Sequence, residues 1–314
     1  MEAENRTSIT EFILVGLTND RKKQILLFVI TLLIYSLSIV GNVMVIMLVR
    51  ADSRLHTPMY FFLTQLAYVE ICYVTSTFPQ MLFNLLTGNG AISLTRCALQ
   101  MFIALSLGVT ECFLLAAMAY DRYLAICHPL LYTILMGRGR QLQLASASWG
   151  WSTFFATIGV SCTFHHHFCG PNRINHFFCE LPVVLKLACA NTQVTELIVF
   201  LAATVVLLSS ISTVLTSYGL ILSTVLKMRS TAGRHKAFST CASHLAVVTV
   251  FYGTVITMYM RPGQVRASDF DKQIAIFYIM VTPLLNPIIY TLRNKDIHAA
   301  AAKVLGRQDM VQKR

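Results

Sequence analysis

"MAYDRYLAICHPLLY", Met118–Tyr132, closes a long apolar run with an acid and a base side by side, Asp121 and Arg122. Tyr120 and Tyr123 flank the pair, and His128-Pro129 follows it. Ionised groups are costly in hydrocarbon, so a segment that carries them faces a protein interior or a watery rim. The fold depends on what surrounds this stretch.

The chain of 314 residues is 55% hydrophobic and only 12% charged, with a mean hydropathy of +0.62. Soluble domains carry about a quarter charged residues, so the deficit points to lipid as the solvent. The formal net charge of +11 would suit nucleic acid if the basic residues shared one soluble face. They fall instead in short clusters between apolar runs, which suits an anionic inner leaflet. Membrane lipid is therefore the expected partner, and nucleic acid is not.

Runs long enough to cross a bilayer, roughly 20 residues or more, occur at Ile25–Val49, Met59–Leu86, Leu99–Cys127, Leu142–Phe164, Leu197–Leu226, Ala237–Met260 and Ile274–Leu292. Their lengths predict helices, since a membrane barrel would show short alternating strands. The second run contains Glu70 and Pro79, and the third contains Glu111. No linker, repeat or low-complexity tract divides the chain. The expected fold is one all-α, seven-transmembrane domain. It has an amino-terminal segment at 1–24, a bundle at 25–292 and a tail at 293–314.

Loop charge sets the orientation. Arg50 and Arg54 follow the first run, Arg138 and Arg140 the third, and Lys227, Arg229, Arg234 and Lys236 the fifth. The tail adds Arg293, Lys295, Lys303 and Arg307. The alternate loops are poorer in base, so the amino terminus is expected outside and the carboxyl terminus inside. Arg21-Lys22-Lys23 opposes the rule. Asn5-Arg6-Thr7 is a glycosylation acceptor, usable on the outer side. Of nine cysteines, Cys97, Cys169, Cys179 and Cys189 fall in the outer segments and none in the inner loops. Disulfides persist in oxidising compartments, but four cysteines allow three pairings. Met1–Gly16 lacks the basic-then-apolar pattern of a cleaved signal, and the first span is expected to direct insertion itself.

Seven spans with this charge pattern bring five stretches together: Gly41-Asn42, "PMYFFL" at Pro58–Leu63, the opening stretch, "KAFSTCASHL" at Lys236–Leu245, and "TPLLNPIIYTLRNKD" at Thr282–Asp296. In this order the chain resembles a rhodopsin-like G-protein-coupled receptor, and specifically an odorant receptor. The resemblance implies a plasma-membrane receptor that binds a small volatile odorant. It also implies activation of a stimulatory, olfactory-type G protein and a rise in cAMP.

An Arg at a membrane edge is often a snorkelling side chain, which suffices for Arg50 and Arg138. Arg122 differs because Asp121 beside it would hold its charge at rest. By resemblance, Arg122 leaves Asp121 on activation and joins Tyr218 and Tyr290 at the G-protein end, with Tyr123 completing the motif and His244 taking part. Pro283 and Pro287 bracket Asn286. A proline removes a backbone donor and kinks a helix, so Asn286 is expected to engage the freed carbonyls while Tyr290 swings one turn on. The stretch after Leu292 reads as a short interfacial helix.

Glu70 and Glu111 are intramembrane carboxyls and are expected to face the bundle interior. They read as a hydrogen-bonded polar network, and the resemblance places Asn42 and Asn286 nearby. A sodium site is the alternative that the resemblance suggests. His165–His167 and "HFFCE" at His176–Glu180 suggest copper or zinc, which favour imidazole and thiolate. The resemblance pairs Cys97 with Cys179, leaving no thiolate there, and Cys169 with Cys189. No resident cofactor is therefore expected, with copper- or zinc-assisted sensing as the alternative.

The resemblance also places a ligand pocket between the third, fifth, sixth and seventh spans, under the second outer loop. The matching positions are Ala104, Leu105, Gly108 and Val109, then Ala202, Ala203, Val206 and Leu207. The sixth span adds Tyr252, Val255, Ile256 and Tyr259, and the seventh Ile276 and Ile279. None is charged, Ala104 stands where amine receptors keep an aspartate, and Glu70 and Glu111 are expected to lie deeper. This lining predicts a small, neutral, mostly apolar ligand oriented by Tyr252 or Tyr259. A multi-span transporter is the main alternative, but it would show internal symmetry or broken midplane helices. No nucleophile elbow, zinc signature or phosphate loop suggests an enzyme.

Overall fold

Long runs of Leu, Ile, Val, Ala and Phe satisfy their backbone groups internally when helical, the condition a chain must meet in hydrocarbon. The computed structural model describes residues 9–169, 171–228, 230–260, 269–292 and 296–303. Its long helices are α1 (Arg21–Ala51), α2 (Pro58–Thr87), α3 (Leu94–Cys127), α5 (Arg138–Phe164), α7 (Gln193–Lys227) and α8 (Thr231–Tyr259). The seventh span is composite: α9 (Asp269–Ile276), a π-helical turn at Phe277–Val281, and α10 (Thr282–Leu292). Short elements are a 3₁₀ turn at Ser53–Leu55, α4 (Tyr132–Leu135) and α6 (Leu181–Leu185). A last helix, α11, occupies 296–303. The expected glycosylation acceptor Asn5 lies outside the described residues, as do Arg293, Lys295 and Arg307 of the tail.

Five of the described helical stretches are long and apolar enough to cross a membrane. Helices α2 and α5 match them in length but carry more polar residues, several of which are buried, among them Glu70, Thr77, Ser148 and Ser152. Thr110 on α3, for example, donates to Ser152 on α5 at 2.7 Å. Helix α3 is the central post. In its most apolar stretch 61% of residues are buried, against 22% for α7, whose Leu201, Val205, Leu208 and Leu215 stay exposed. Exposed leucines on a helix of this length mark the lipid face.

The helices overrun the apolar runs at their ends. Helix α1 begins at Arg21, with the Asp20 carboxylate accepting from the Lys22 N–H at 2.9 Å as its N-cap. This start explains part of the basic cluster that opposes the charge rule. The Arg21 guanidinium donates to the Leu85 and Leu86 carbonyls at 3.3 and 2.8 Å. It satisfies the open carbonyl end of α2, where a cation is favoured. Further along α1, Gly41 gives Pro287 room: a Cβ at Gly41 would lie 3.2 Å from the Pro287 ring.

One feature of the fold has no counterpart in the sequence reading. Strand β1 (Glu11–Leu14) is the middle of a three-stranded sheet, antiparallel to β2 (Ala91–Ser93) and parallel to β3 (Arg173–Ile174). Phe12 pairs with Ile92 and Leu14 with Ile174, and all four are buried. They pack with Cys97, Met101, Cys179 and Leu181 in a small core separate from the main bundle core. Gly90 is obligatory there, because a Cβ would collide with the Leu14 carbonyl. The amino-terminal segment is thus tied to the loops that follow α2 and α5.

Candidate functional site

Two disulfides close the end of the bundle that carries the sheet. Cys97–Cys179 joins the start of α3 to the loop before α6, with Cα atoms 5.4 Å apart, and Cys169–Cys189 links that loop to the segment after α6 at 5.1 Å. The Cys179 N–H donates to Gln100 Oε1 at 2.9 Å, which fixes the loop beside α3. The segment Phe178–Leu181 then roofs a cavity that holds about 120 Å³ of internal space.

Ten of the fourteen sequence-predicted positions line this cavity. Ala104, Leu105, Gly108 and Val109 come from α3, and Ala202, Ala203, Val206 and Leu207 from α7. Val255 and Tyr259 come from α8, four residues apart on one face. Gly108 faces open space, with nothing within 4 Å of a Cβ placed there.

The remaining four positions are corrected. Tyr252 is buried and donates its hydroxyl to the Cys112 carbonyl at 2.9 Å, so it braces α8 against α3 instead of facing the cavity. Ile256, one residue round the helix from Val255, is 40% exposed on the outer side. In the seventh span the π turn widens the helix and rotates the residues that follow. Tyr278, inside that turn, lines the cavity, while Ile279 beside it and Ile276, which precedes the turn, do not.

Sequence reasoning missed two walls and misjudged the depth of the carboxyls. Helix α2 contributes Tyr73, and α5 contributes Phe155, Ala156, Ile158 and Gly159. Met101 and Cys112 extend the α3 wall. Glu70 and Glu111 also belong to the lining, with Glu180 from the roof. Residues 104, 108 and 111 follow a helical i, i+4, i+7 pattern, so Glu111 shares the face of Ala104 and Gly108. That periodicity was readable in the sequence. The expectation of a lining without carboxyls and with the two glutamates below it does not hold.

Both glutamates are held by one amide. Asn286 Nδ2 donates to Glu70 Oε1 and, at 3.3 Å, to Glu111 Oε1. Asn42 takes the part expected of Asn286: its Nδ2 donates to the Ser38 carbonyl at 2.9 Å and the Pro283 carbonyl at 3.3 Å. The proline-freed carbonyl is therefore satisfied from α1, leaving Asn286 for the carboxyls.

At the roof, His176 is 1% exposed and stacks on Phe177, with ring centroids 4.6 Å apart. Its Nδ1 accepts from the Phe178 N–H at 3.4 Å, and Nε2 lies 3.3 Å from Glu180 Oε2, off the line of a hydrogen bond. Burial, with the nearby Lys272 charge, lowers its pKa to about 3. His166 Nε2 is 2.8 Å from Thr195 Oγ1. Among the described residues no group of three or more His, Cys, Asp or Glu is arranged to hold a metal ion.

The opposite end carries the opening motif, and among the described residues Asp121 and Arg122 make no direct ion pair, each turning to another partner. Asp121, 1% exposed, accepts a hydrogen bond from the Tyr132 hydroxyl at 2.8 Å. Arg122 directs Nη2 at the Met59 sulfur on α2. Adjacent residues on a helix point about 100° apart, so neighbours in sequence do not face each other. Tyr132, the last residue of the quoted stretch, is the partner that adjacency concealed. Tyr123 Oη lies 2.9 Å from His128 Nε2, and Tyr218 Oη lies 2.7 Å from His244 Nδ1. Tyr290 is buried; its hydroxyl and His244 Nε2 have no hydrogen-bond partner among the described residues.

Comparison with known proteins agrees with this architecture. The fold is similar to that in the crystal structure of squid rhodopsin, with a TM-score of 0.70 over 90% of this chain and 81% of that one, at 16% identity. The family description "Olfactory receptor" matches residues 31–308. Olfactory receptor 11L1 of Homo sapiens is 48% identical over 98% of this chain and 96% of its own length. For olfactory receptor 5T7 of Mus musculus the identity is 47%, over 97% and 98%. With the family matched across nearly the whole bundle, this seven-helix chain belongs to the olfactory receptor family, a family of signalling receptors and not of enzymes.

Proposed function

We propose that this chain is an odorant receptor of the plasma membrane, binding a small, neutral, mostly apolar volatile in the roofed cavity. The observation that carries the reading is the cavity itself: about 120 Å³, walled by Ala, Val, Leu, Gly and aromatic side chains and closed by a disulfide-bonded loop. Burying a hydrocarbon frame there gains about 0.8 kcal/mol per methylene. Neutrality is supported by the state of the carboxyls, since Glu70 and Glu111 are already engaged by Asn286 and Glu180 faces His176. Tyr259 is the hydroxyl on α8 placed to orient the ligand.

In this reading the disulfide-bearing end is extracellular, with the amino terminus outside and the carboxyl terminus in the cytoplasm. That choice places the bridged cysteines in an oxidising compartment and the Arg122 end toward the G protein. The activated partner is a stimulatory, olfactory-type G protein that raises cAMP. Asp121, Arg122, Tyr123, Tyr218, His244, Asn286, Pro287 and Tyr290 form the switch. Glu70, Asn286 and Glu111 are a polar network, with a sodium ion as the alternative occupant. The inner leaflet meets the tail helix α11.

The test is Gly108→Leu, with surface expression and odorant-driven cAMP measured together. Filling the cavity should abolish responses to every agonist at normal expression. Unchanged potency for all agonists would move the ligand elsewhere. The transporter alternative predicts solute flux across vesicles and no guanine-nucleotide exchange on added G protein.

A further inference from the structure

The seventh span reaches from the cavity to the switch. Tyr278 lines the cavity, where its ring centroid lies 6.1 Å from that of Tyr73 and the two hydroxyls share a hydrogen bond. Asn286 and Tyr290 follow on the same span. Between them stands the π turn at Phe277–Val281, closed by the Thr282 N–H on the Phe277 carbonyl, five residues back. Such a turn is an α-helix holding one residue too many, and it is frequent at functional sites.

Neighbouring residues set two opposed preferences on this turn. Pro283 has no N–H, and in a regular helix its ring would crowd the Ile279 carbonyl four residues back. A wider turn ahead of Pro283 eases that contact. Thr282 pulls the other way. In the helices of this chain Thr77, Thr110 and Thr249 each donate a hydroxyl to the carbonyl four residues back, at 3.0, 2.8 and 2.8 Å. Thr282 Oγ1 is buried and has no hydrogen-bond partner among the described residues. In regular α geometry the Tyr278 carbonyl, four back, is the acceptor that such a hydroxyl takes. The α form would thus relieve Thr282 and burden Pro283, and the π form does the reverse.

We propose that the π turn is the transmission element of this receptor: ligand pressing on Tyr278 resolves the turn into α-helix, and α10 rotates with it. The inference rests on the odorant-receptor reading and adds a regulatory step within it. Absorbing the extra residue rotates the flanks against each other by roughly 100° and moves them roughly 1.5 Å along the axis, one residue's share of a helix. That displacement is divided between α9 and α10. Asn286 is drawn from Glu70 and Glu111, which it holds at rest. Tyr290, whose hydroxyl lacks a hydrogen-bond partner among the described residues, is carried to a new face. Tyr278 and Thr282 act as positioning residues. One takes the ligand's push, and the other favours the resolved form.

The experiment uses the full-length receptor in cells, with surface labelling, a cAMP reporter and an agonist found on the wild type. Deleting Phe277, which is 56% exposed, removes the extra residue and lets both flanks keep their resting geometry. The deletion variant should reach the surface and lose agonist-driven cAMP. An unchanged response at matched surface level overturns the inference and leaves the odorant-receptor reading standing. A wild-type chain that answers no odorant and drives no guanine-nucleotide exchange sinks both.

A second arm replaces Thr282. Thr282→Val keeps the shape and removes the hydroxyl that favours the resolved form. Every agonist should then be about tenfold less potent, through loss of a bond that only the active state makes. Basal cAMP should fall, and the purified, unliganded receptor should melt at a higher temperature. A merely structural hydroxyl predicts the opposite melting shift. Thr282→Ser keeps a hydroxyl and should stay within about threefold of wild type. Wild-type potency in Thr282→Val, or a loss in Thr282→Ser equal to that in Thr282→Val, overturns the inference. If the deletion variant does not reach the surface, the two Thr282 variants decide.

Discussion

The two ends of the bundle are built on opposite plans. At the cavity end, two disulfides, a three-stranded sheet and a buried aromatic cluster around His176 hold one arrangement. At the Arg122 end, Arg122 rests against a methionine sulfur, and the Tyr290 hydroxyl and His244 Nε2 lack hydrogen-bond partners among the described residues. Buried polar groups without partners cost about 1–3 kcal/mol each, so a rearrangement that pairs them is favoured. At the cavity end His176 Nε2 also lacks a hydrogen bond, but disulfides lock the frame around it; at the other end no cross-link is present among the described residues.

The largest expected effect breaks the fixed end. Cys97→Ser should abolish surface delivery and all odorant responses, because the bridge closes an 82-residue separation and anchors the roof to α3. Cys189→Ser, whose bridge spans 20 residues, should cost less. A longer closed loop constrains the unfolded chain more, and losing such a bridge costs roughly 2–5 kcal/mol. Flow cytometry of surface-labelled cells ranks the two. Equal delivery of Cys97→Ser and wild type would show that the sheet alone suffices.

At the other end, Arg122→Ala should remove agonist-driven cAMP while keeping surface expression and ligand binding. The guanidinium lies outside the cavity, and its contact with Met59 contributes little to folding. A normal cAMP response at normal expression would remove Arg122 from the switch. Asp121→Asn should be milder than loss of a salt bridge, since its partner is the Tyr132 hydroxyl.

The third prediction sharpens the contrast through pH. His176 has a pKa held down at about 3, against 6.5 for an unhindered imidazole. Below pH 6.5 the unfolded chain takes a proton that the folded chain refuses, so stability is full above that pH and declines on acidification toward 3. The slope approaches roughly 1.4 kcal/mol per pH unit. Purified receptor should melt several degrees lower at pH 5 than at pH 7, and His176→Leu should flatten that difference. The same slope in both proteins would assign the acid sensitivity to another group.

The smallest effect separates the two tyrosines of α8. Tyr259→Phe should weaken odorants that carry a polar head about fivefold, the value of one hydrogen bond of about 1 kcal/mol. Tyr252→Phe should shift all odorants equally or not at all, because its hydroxyl is committed to the Cys112 carbonyl. Dose–response curves for both variants settle which hydroxyl meets the ligand.

What the sequence discloses follows from the range of each interaction. Seven apolar runs report directly on solvent, so the spans are legible, and segregated cysteines mark the disulfide end before any pairing is known. Non-local geometry is not legible in that way. β1 pairs with a strand about 160 residues away, and a four-residue strand carries no strong pattern. The π turn at Phe277–Val281 changes which side chains face inward, turning Tyr278 toward the cavity, and periodicity cannot register it. Asp121 and Arg122 mislead for the opposite reason: adjacency in sequence suggests a pair that helix geometry separates. Glu111 was legible by its spacing from Gly108.

The placement of β1 at the middle of its sheet sets an order of events during synthesis. The strand leaves the ribosome first, yet β3, one of its two neighbours, follows only after four membrane helices have been made. At about 5–20 residues per second, the intervening chain takes roughly 8–30 seconds to appear. For that interval Phe12 and Leu14 stand without their parallel partner, and the cavity has no finished roof. The earliest-made of the three strands is thus among the last to settle, and a bulky fusion just ahead of it would act at the closing step of biogenesis.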